Sequence, residues 1–265
     1  MIIKEKIMND FDINSLFKSS WNLYKERFWN IFGIALLPGL SAIAMVSMMT
    51  ALFLLAFTSL IPAIFIGLVA ILLFCTIGYW LQAALYEVII NDSKIGIKES
   101  LKNSKSKFLS LLWINFLAGL ITMSIPIIVS IVIAIIGNYA GMESYIFLFP
   151  LIIIPVVLFG VWFSLSPFVF FKEGIKGMSA LKRSRELVKG NFGKIFWRLL
   201  VIGIFLALIN FILSFIPMLG GLINIAIIPF GIVFTYMMYK ELSQTTGIER
   251  SADNMVFESQ EKHQL

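Results

Sequence analysis

Few residues in this chain combine the type and the placement that chemistry needs. Asn210 and Asn224 stand out first. Each lies in an apolar run, seven residues from Pro217, so a tight antiparallel hairpin about that proline would bring their amides together. Amides buried between helices hydrogen-bond for about 0.6–2 kcal/mol, which serves as structural glue more often than as a polar pathway. Gln82 and Glu87 lie toward the end of an earlier apolar run, and Arg198 near the start of a later one. An ionisable group within a membrane marks a functional site, but long side chains at the hydrocarbon edge reach water. A Glu87–Arg198 pair is therefore weighed against two groups solvated separately. Ser164, Ser166 and Ser184 have no histidine or other base to activate them, so a nucleophile is not expected.

The single cysteine, Cys75, and the single histidine, His263, supply neither a disulfide framework nor the several His/Cys ligands that a zinc site takes. No glycine-rich phosphate loop opens a helix after a strand. The carboxylates are not clustered as phosphodiester hydrolysis requires. No catalytic residue, cofactor or metal is expected, and the chain reads as a non-enzyme. Lys182, Arg183, Arg185 and Lys189 form a short basic segment suited to anionic lipid headgroups. Its shortness and its place between apolar runs argue against nucleic acid.

These residues need a scaffold, and composition names its kind. Hydrophobic residues make up 59% of the chain and charged residues 14%, with mean hydropathy +0.93. Soluble domains carry about 25% charge. Six runs are long enough to cross about 30 Å of hydrocarbon: about Ile31 to Phe57, Ala63 to Val88, Leu109 to Ile136, Tyr145 to Phe171, Ile195 to Ile216 and Leu222 to Tyr239. Pro38-Gly39 is expected to kink the first, Pro126 lies inside the third, and the trio Pro150, Pro155 and Pro167 predicts an irregular helix in the fourth. Met1 to Asn30 is polar and mixed in charge, unlike a cleavable signal. Residues 243–265 lack apolar periodicity and are expected to be disordered.

Orientation follows from charge. The segments before span one, between spans two and three, between spans four and five, and after span six carry five, five, eight and three Lys/Arg, which accounts for all 21. The three alternate loops carry none. Short basic loops stay cytoplasmic, so both termini are placed inside the cell membrane. The net charge of +6 is thus a topology signature.

Three of the basic segments contain amphipathic helices, read as lying along the cytoplasmic interface. In the first, Ile13, Leu16, Phe17, Ser20, Trp21, Tyr24 and Phe28 share one stripe, with Trp21 and Trp29 at headgroup depth. Phe17-Lys18-Ser19-Ser20, Leu101-Lys102-Asn103-Ser104 and Leu181-Lys182-Arg183-Ser184 repeat an apolar-Lys-x-Ser pattern, each before an odd-numbered span. Phe28 and Phe192 follow the last serine by eight residues and Phe108 by four, so the middle copy carries a deletion. The expected organisation is a six-span membrane domain over residues 1–242, built from three repeats at 12–90, 95–171 and 174–240.

One resemblance is specific enough to name. A proline-bearing span ends in Ser166-Pro167-Phe168, followed by Glu173-Gly174, Ala180-Leu181-x-x-Ser184, Leu187 and Phe192. The opening Leu16-Phe17-Lys18-x-x-Trp21 through Pro38-Gly39 is similar as well. This resembles the membrane domain of glycerophosphoryl diester phosphodiesterases and of related bacterial six-span proteins. In those enzymes catalysis belongs to a separate soluble barrel, and no counterpart is seen here, so the activity is not carried over. The expected fold is all-α and polytopic, with six spans, three interfacial helices and both termini cytoplasmic. The expected role is scaffolding, assembly or regulation in the bacterial cell membrane, with lipids and membrane proteins as partners. The alternative is a permease-like module for lipids or small amphiphiles, which would need a cavity near Pro126, Pro155, Asn210 and Asn224.

Overall fold

A computed structural model of the chain describes residues 13–56, 60–91, 93–140, 144–216 and 219–262. The opening segment 1–12, positions 57–59, 141–143 and 217–218, and His263 lie outside the described residues. Nine helices and no strand occur among the described residues: α1 Ile13–Ala56, α2 Leu60–Ile90, α3 Ile97–Ser104, α4 Phe108–Ala140, α5 Ser144–Phe163, α6 Ser166–Glu173, α7 Gly177–Val188, α8 Phe192–Ser214 and α9 Leu219–Lys262. Six stretches are long and apolar enough to cross a membrane: Ile13–Leu52, Ile64–Ile90, Phe108–Val132, Leu151–Glu173, Phe192–Ser214 and Ile223–Thr245. The protein is an all-α, multi-pass membrane protein.

Three elements differ from the sequence reading, each for a local reason. The amphipathic stretch before span one is no separate helix. It runs without a break into the span as α1, 44 residues long. At about 1.5 Å per residue α1 measures roughly 66 Å, twice what the hydrocarbon needs. Nothing between Phe28 and Ile34 breaks a helix, and Leu16, Ser20, Tyr24, Ile31 and Ile34 are all buried along it.

Span four is interrupted at Ser164-Leu165, not at Pro150 or Pro155. Pro167 has no N–H, and its ring conflicts with the carbonyl four residues back, which accounts for the end of α5 at Phe163, whereas Pro38, Pro126 and Pro229 sit inside unbroken helices. The hydroxyl of Ser166 donates to the Phe163 carbonyl at 2.7 Å and satisfies that helix end. Pro167 then sits in the first turn of α6, where a missing N–H costs nothing. Gly174 closes α6 in the left-handed region, with φ +73°, and its N–H donates to the Phe170 carbonyl at 3.1 Å. Finally, α9 carries span six and continues as helix to Lys262, through the stretch expected to be disordered.

The long helices pair as antiparallel hairpins, α1 with α2, α4 with α5, and α8 with α9. Each hairpin packs on the next, α2 on α4, α5 on α8, and α9 on α1, so the ring closes. Buried side chains gather at the end that carries the basic residues. They include Ala83, Ala84 and Val88 to Ile90 of α2, Leu111 and Ile114 of α4, Leu165 and Phe168 to Phe170, Ala180, Leu181, Leu187 and Val188 of α7, and Phe230, Phe234, Met238 and Leu242 of α9. The opposite ends are loosely covered, with Leu54, Ile64, Leu72, Ile128, Ile154 and Phe211 all exposed.

Candidate functional site

The polar chemistry of the molecule lies at the basic end of the ring. Glu87, in the last turn of α2, is buried, and Lys107 at the head of α4 forms an ion pair and hydrogen bond with it. The Lys107 ammonium also lies 5.5 Å from the centre of the Phe171 ring. The neighbouring carbonyls at the end of α2 have no helical partners. Arg27 of α1 donates to those of Val88 at 2.7 Å and Ile89 at 3.2 Å, and to that of Asn91. A cation at a helix C-terminus also meets the negative end of the helix dipole. Asn30 adds a bond to the Ile95 carbonyl at 3.0 Å, which fixes the α2–α3 connection against α1.

A second group forms around α6, α7 and α9. Arg183 donates to Glu173 at 3.0 Å and to Glu186 at 3.4 Å, and the Tyr239 hydroxyl donates to Glu173 at 3.0 Å. Arg198 of α8, 2% exposed, donates to Glu241 of α9 at 3.0 Å. Arg185 lies over the Trp162 ring, 4.4 Å from its centre, as a cation–π contact. The Ser184 hydroxyl donates to the Trp162 carbonyl at 2.6 Å, and that of Ser100 to the Ala84 carbonyl at 2.6 Å. Each seats a short helix, α7 or α3, on the preceding span.

Between these groups three aromatic rings meet. Phe168 lies edge-on to Tyr86 at 5.4 Å and tilted against Tyr236 at 5.9 Å. The Tyr236 hydroxyl donates to the Ile90 carbonyl at 3.3 Å. Beside them is a cavity of about 300 Å³ lined by Tyr86, Ser164, Phe168, Leu199, Ile228, Gly231, Ile232 and Thr235.

Comparison with protein-family models, with curated proteins and with solved structures finds no match. The motif residues singled out in the sequence have clear structural jobs. Ser166-Pro167 makes the helix break, Glu173-Gly174 anchors Arg183 and ends α6, and Ser184 seats α7.

The residues singled out from sequence are dispersed. Glu87 and Arg198 do not pair with each other; each has its own partner, on α4 and α9 respectively. Asn210 donates to the Leu206 carbonyl of its own helix at 2.9 Å, and the Asn224 side-chain oxygen is buried without a hydrogen-bond partner, so the expected amide pair is not formed. Gln82 is partly buried near the packed end of α2. Lys182 and Lys189 are exposed, whereas Arg183 and Arg185 are engaged within the protein. The cavity is lined by residues other than Pro126, Pro155, Asn210 and Asn224.

Sequence reading counted Arg27, Lys107, Glu173 and Tyr239 only as topology, motif or span-end residues, and passed over Glu241. Their partners lie 20 to 66 residues away. No local pattern signals pairs at such separations. The arrangement as a whole ties α1, α2, α4, α6, α7, α8 and α9 together at one end of the bundle. Among the described residues, no group of three or more His, Cys, Asp or Glu is placed to hold a metal ion.

Proposed function

We propose that this chain is a non-enzymatic module of the bacterial cell membrane, with both termini cytoplasmic, that scaffolds, assembles or regulates other envelope proteins. The observation that carries this reading is the division of the bundle into a packed, ion-paired base and loosely covered outer halves. A tight base gives the hairpins a fixed arrangement. Their exposed apolar faces, with residues such as Ile64, Ile128 and Ile154, must be met by lipid or by spans of another protein. On this reading α3 and α7 lie along the cytoplasmic interface, and the chain is related to the phosphodiesterase membrane domain.

The threefold repeat belongs to the same proposal. With the middle-copy deletion, corresponding positions are buried in all three units: Leu16, Ser100 and Ala180; Ser20, Ser104 and Ser184; Ile31, Leu111 and Ile195; Ile34, Ile114 and Arg198. The cyclic packing of hairpins supports it too.

A photo-crosslinker at Ile128, activated in intact membranes, should give a discrete adduct with one protein species. Adducts with lipid alone would remove the scaffold reading. Reporters fused at Gly190 and Glu143 should read inside and outside respectively, and the reverse would overturn the orientation.

The second reading, a permease-like module for lipids or small amphiphiles, is favoured by the 300 Å³ cavity beside Tyr86 and Phe168. Filling it with Ile232→Trp should then abolish uptake into cells while the protein still inserts.

A further inference from the structure

A groove of about 530 Å³ lies between the first half of α1 and the α8–α9 hairpin. That volume falls within the roughly 300–1,000 Å³ of small-molecule sites. Its walls are almost wholly apolar. Phe17, Trp21 and Tyr24 come from α1, Phe205 and Ile209 from α8, and Ile227 and Phe230 from α9. The aromatic rings brace one another, with Phe17 edge-on to Phe205 at 5.4 Å and to Phe230 at 5.2 Å, and Trp21 edge-on to Phe230 at 5.9 Å. Yet Trp21 remains 47% exposed and Phe205 39% exposed, so the wall is built but uncovered among the described residues.

One charged side chain borders this groove, Lys18. Its ammonium makes no ion pair or hydrogen bond with the described residues, unlike Lys94, Lys107, Arg183 and Arg198, which are all paired. An apolar slot ending in a lone ammonium is complementary to an amphiphile with a long apolar tail and one negative charge. Because the groove opens from a membrane-spanning bundle, the occupant at hand is a lipid of the bilayer. An acyl chain fills an open apolar slot there, and the cation selects the headgroup.

We propose that this groove holds an acyl chain of an anionic phospholipid, with its phosphodiester on the Lys18 ammonium. The site is independent of whether the protein scaffolds or transports. It also differs from a diffuse basic face. Lys102 and Lys182 stand at the matching places of the Lys-x-Ser pattern and are exposed, but neither borders the groove. They are internal controls.

The test uses the full chain in mild detergent, with phosphatidylglycerol or phosphatidylcholine of the same acyl chains added, and native mass spectrometry to count retained lipid. Phosphatidylglycerol should be retained in preference to phosphatidylcholine. Lys18→Gln should lower its retention about fivefold, the worth of one basic residue near an anionic surface. Lys102→Gln and Lys182→Gln should leave it unchanged. Ile209→Trp, or Ile227→Phe as a second groove-filling change, should remove the adduct with Lys18 intact. Phosphatidylglycerol should also raise the thermal unfolding midpoint of the unaltered chain and of Lys102→Gln, and raise that of Lys18→Gln less at the same lipid concentration. Equal retention of the two lipids, equal losses from the three lysine variants, or full retention in both groove-filling variants would overturn the proposal.

Discussion

The pair Glu87–Lys107 offers the sharpest check on how the base of the bundle is held. The two side chains differ in burial, 8% exposed for Glu87 and 39% for Lys107, so the two ways of breaking the pair are unequal. In Lys107→Met the apolar stem persists, and so does most of its packing. The Glu87 carboxylate then stays buried with its ammonium gone. Removing one partner of a buried pair costs about 3–5 kcal/mol, and the partial exposure of Lys107 favours the lower figure. In Glu87→Gln the buried charge disappears, while Lys107 is exposed enough to turn to water, at a cost of about 1 kcal/mol. Chains of this size lose roughly 2–4 °C in midpoint per kcal/mol. Lys107→Met should therefore lower the midpoint by about 6–12 °C and Glu87→Gln by about 2–4 °C. The double variant should resemble Glu87→Gln, because no uncompensated charge remains. Thermal unfolding followed by intrinsic fluorescence in mild detergent measures all three. If Lys107→Met were no worse than Glu87→Gln, or if the double variant lost the sum of both, the buried-charge account would be refuted.

Other positions test local geometry by the same measurement. In Gly220→Ala the new Cβ would collide with the backbone carbonyl oxygen of Leu213, which cannot swing aside, so a loss of about 2–3 kcal/mol is expected. Gly174→Ala should cost about 1–2 kcal/mol because φ is +73°, and Gly174→Asn less, since asparagine tolerates that region. Ser184→Ala removes the 2.6 Å bond to the Trp162 carbonyl and should cost about 1 kcal/mol. Ser19, which bonds only within its own helix, should tolerate alanine with little change.

Much of the fold was legible because its signals are local. Run length identifies a span, since about 20 apolar residues cover the hydrocarbon whatever lies beside them. The break before Pro167 and the helix end at Gly174 were not read, although each has a local cause in one residue's backbone chemistry. The burial of Leu16, Ser20 and Tyr24 follows from their shared stripe. The candidate site was far less legible. Asn210 and Asn224 are symmetric about Pro217 in sequence, yet facing each other across a hairpin requires matching helix rotation as well as matching height. Glu87 and Arg198 were singled out as ionisable groups at the membrane edge, but their burial was not read, and each had several possible partners of opposite charge.

The sequence alone determined that the described chain is helical and that six of its runs are long and apolar enough to cross a membrane. Each of these depends on the transfer of contiguous apolar residues out of water. Only the tertiary structure decided that the three hairpins close a ring, that α1 runs unbroken from its amphipathic stripe into the span, and that Glu87 pairs with Lys107 and Arg198 with Glu241. It also decided that Lys18 borders an open aromatic groove while Lys102 and Lys182 do not. Those outcomes depend on how helices rotate and tilt against one another, which is settled by packing between residues far apart in the chain.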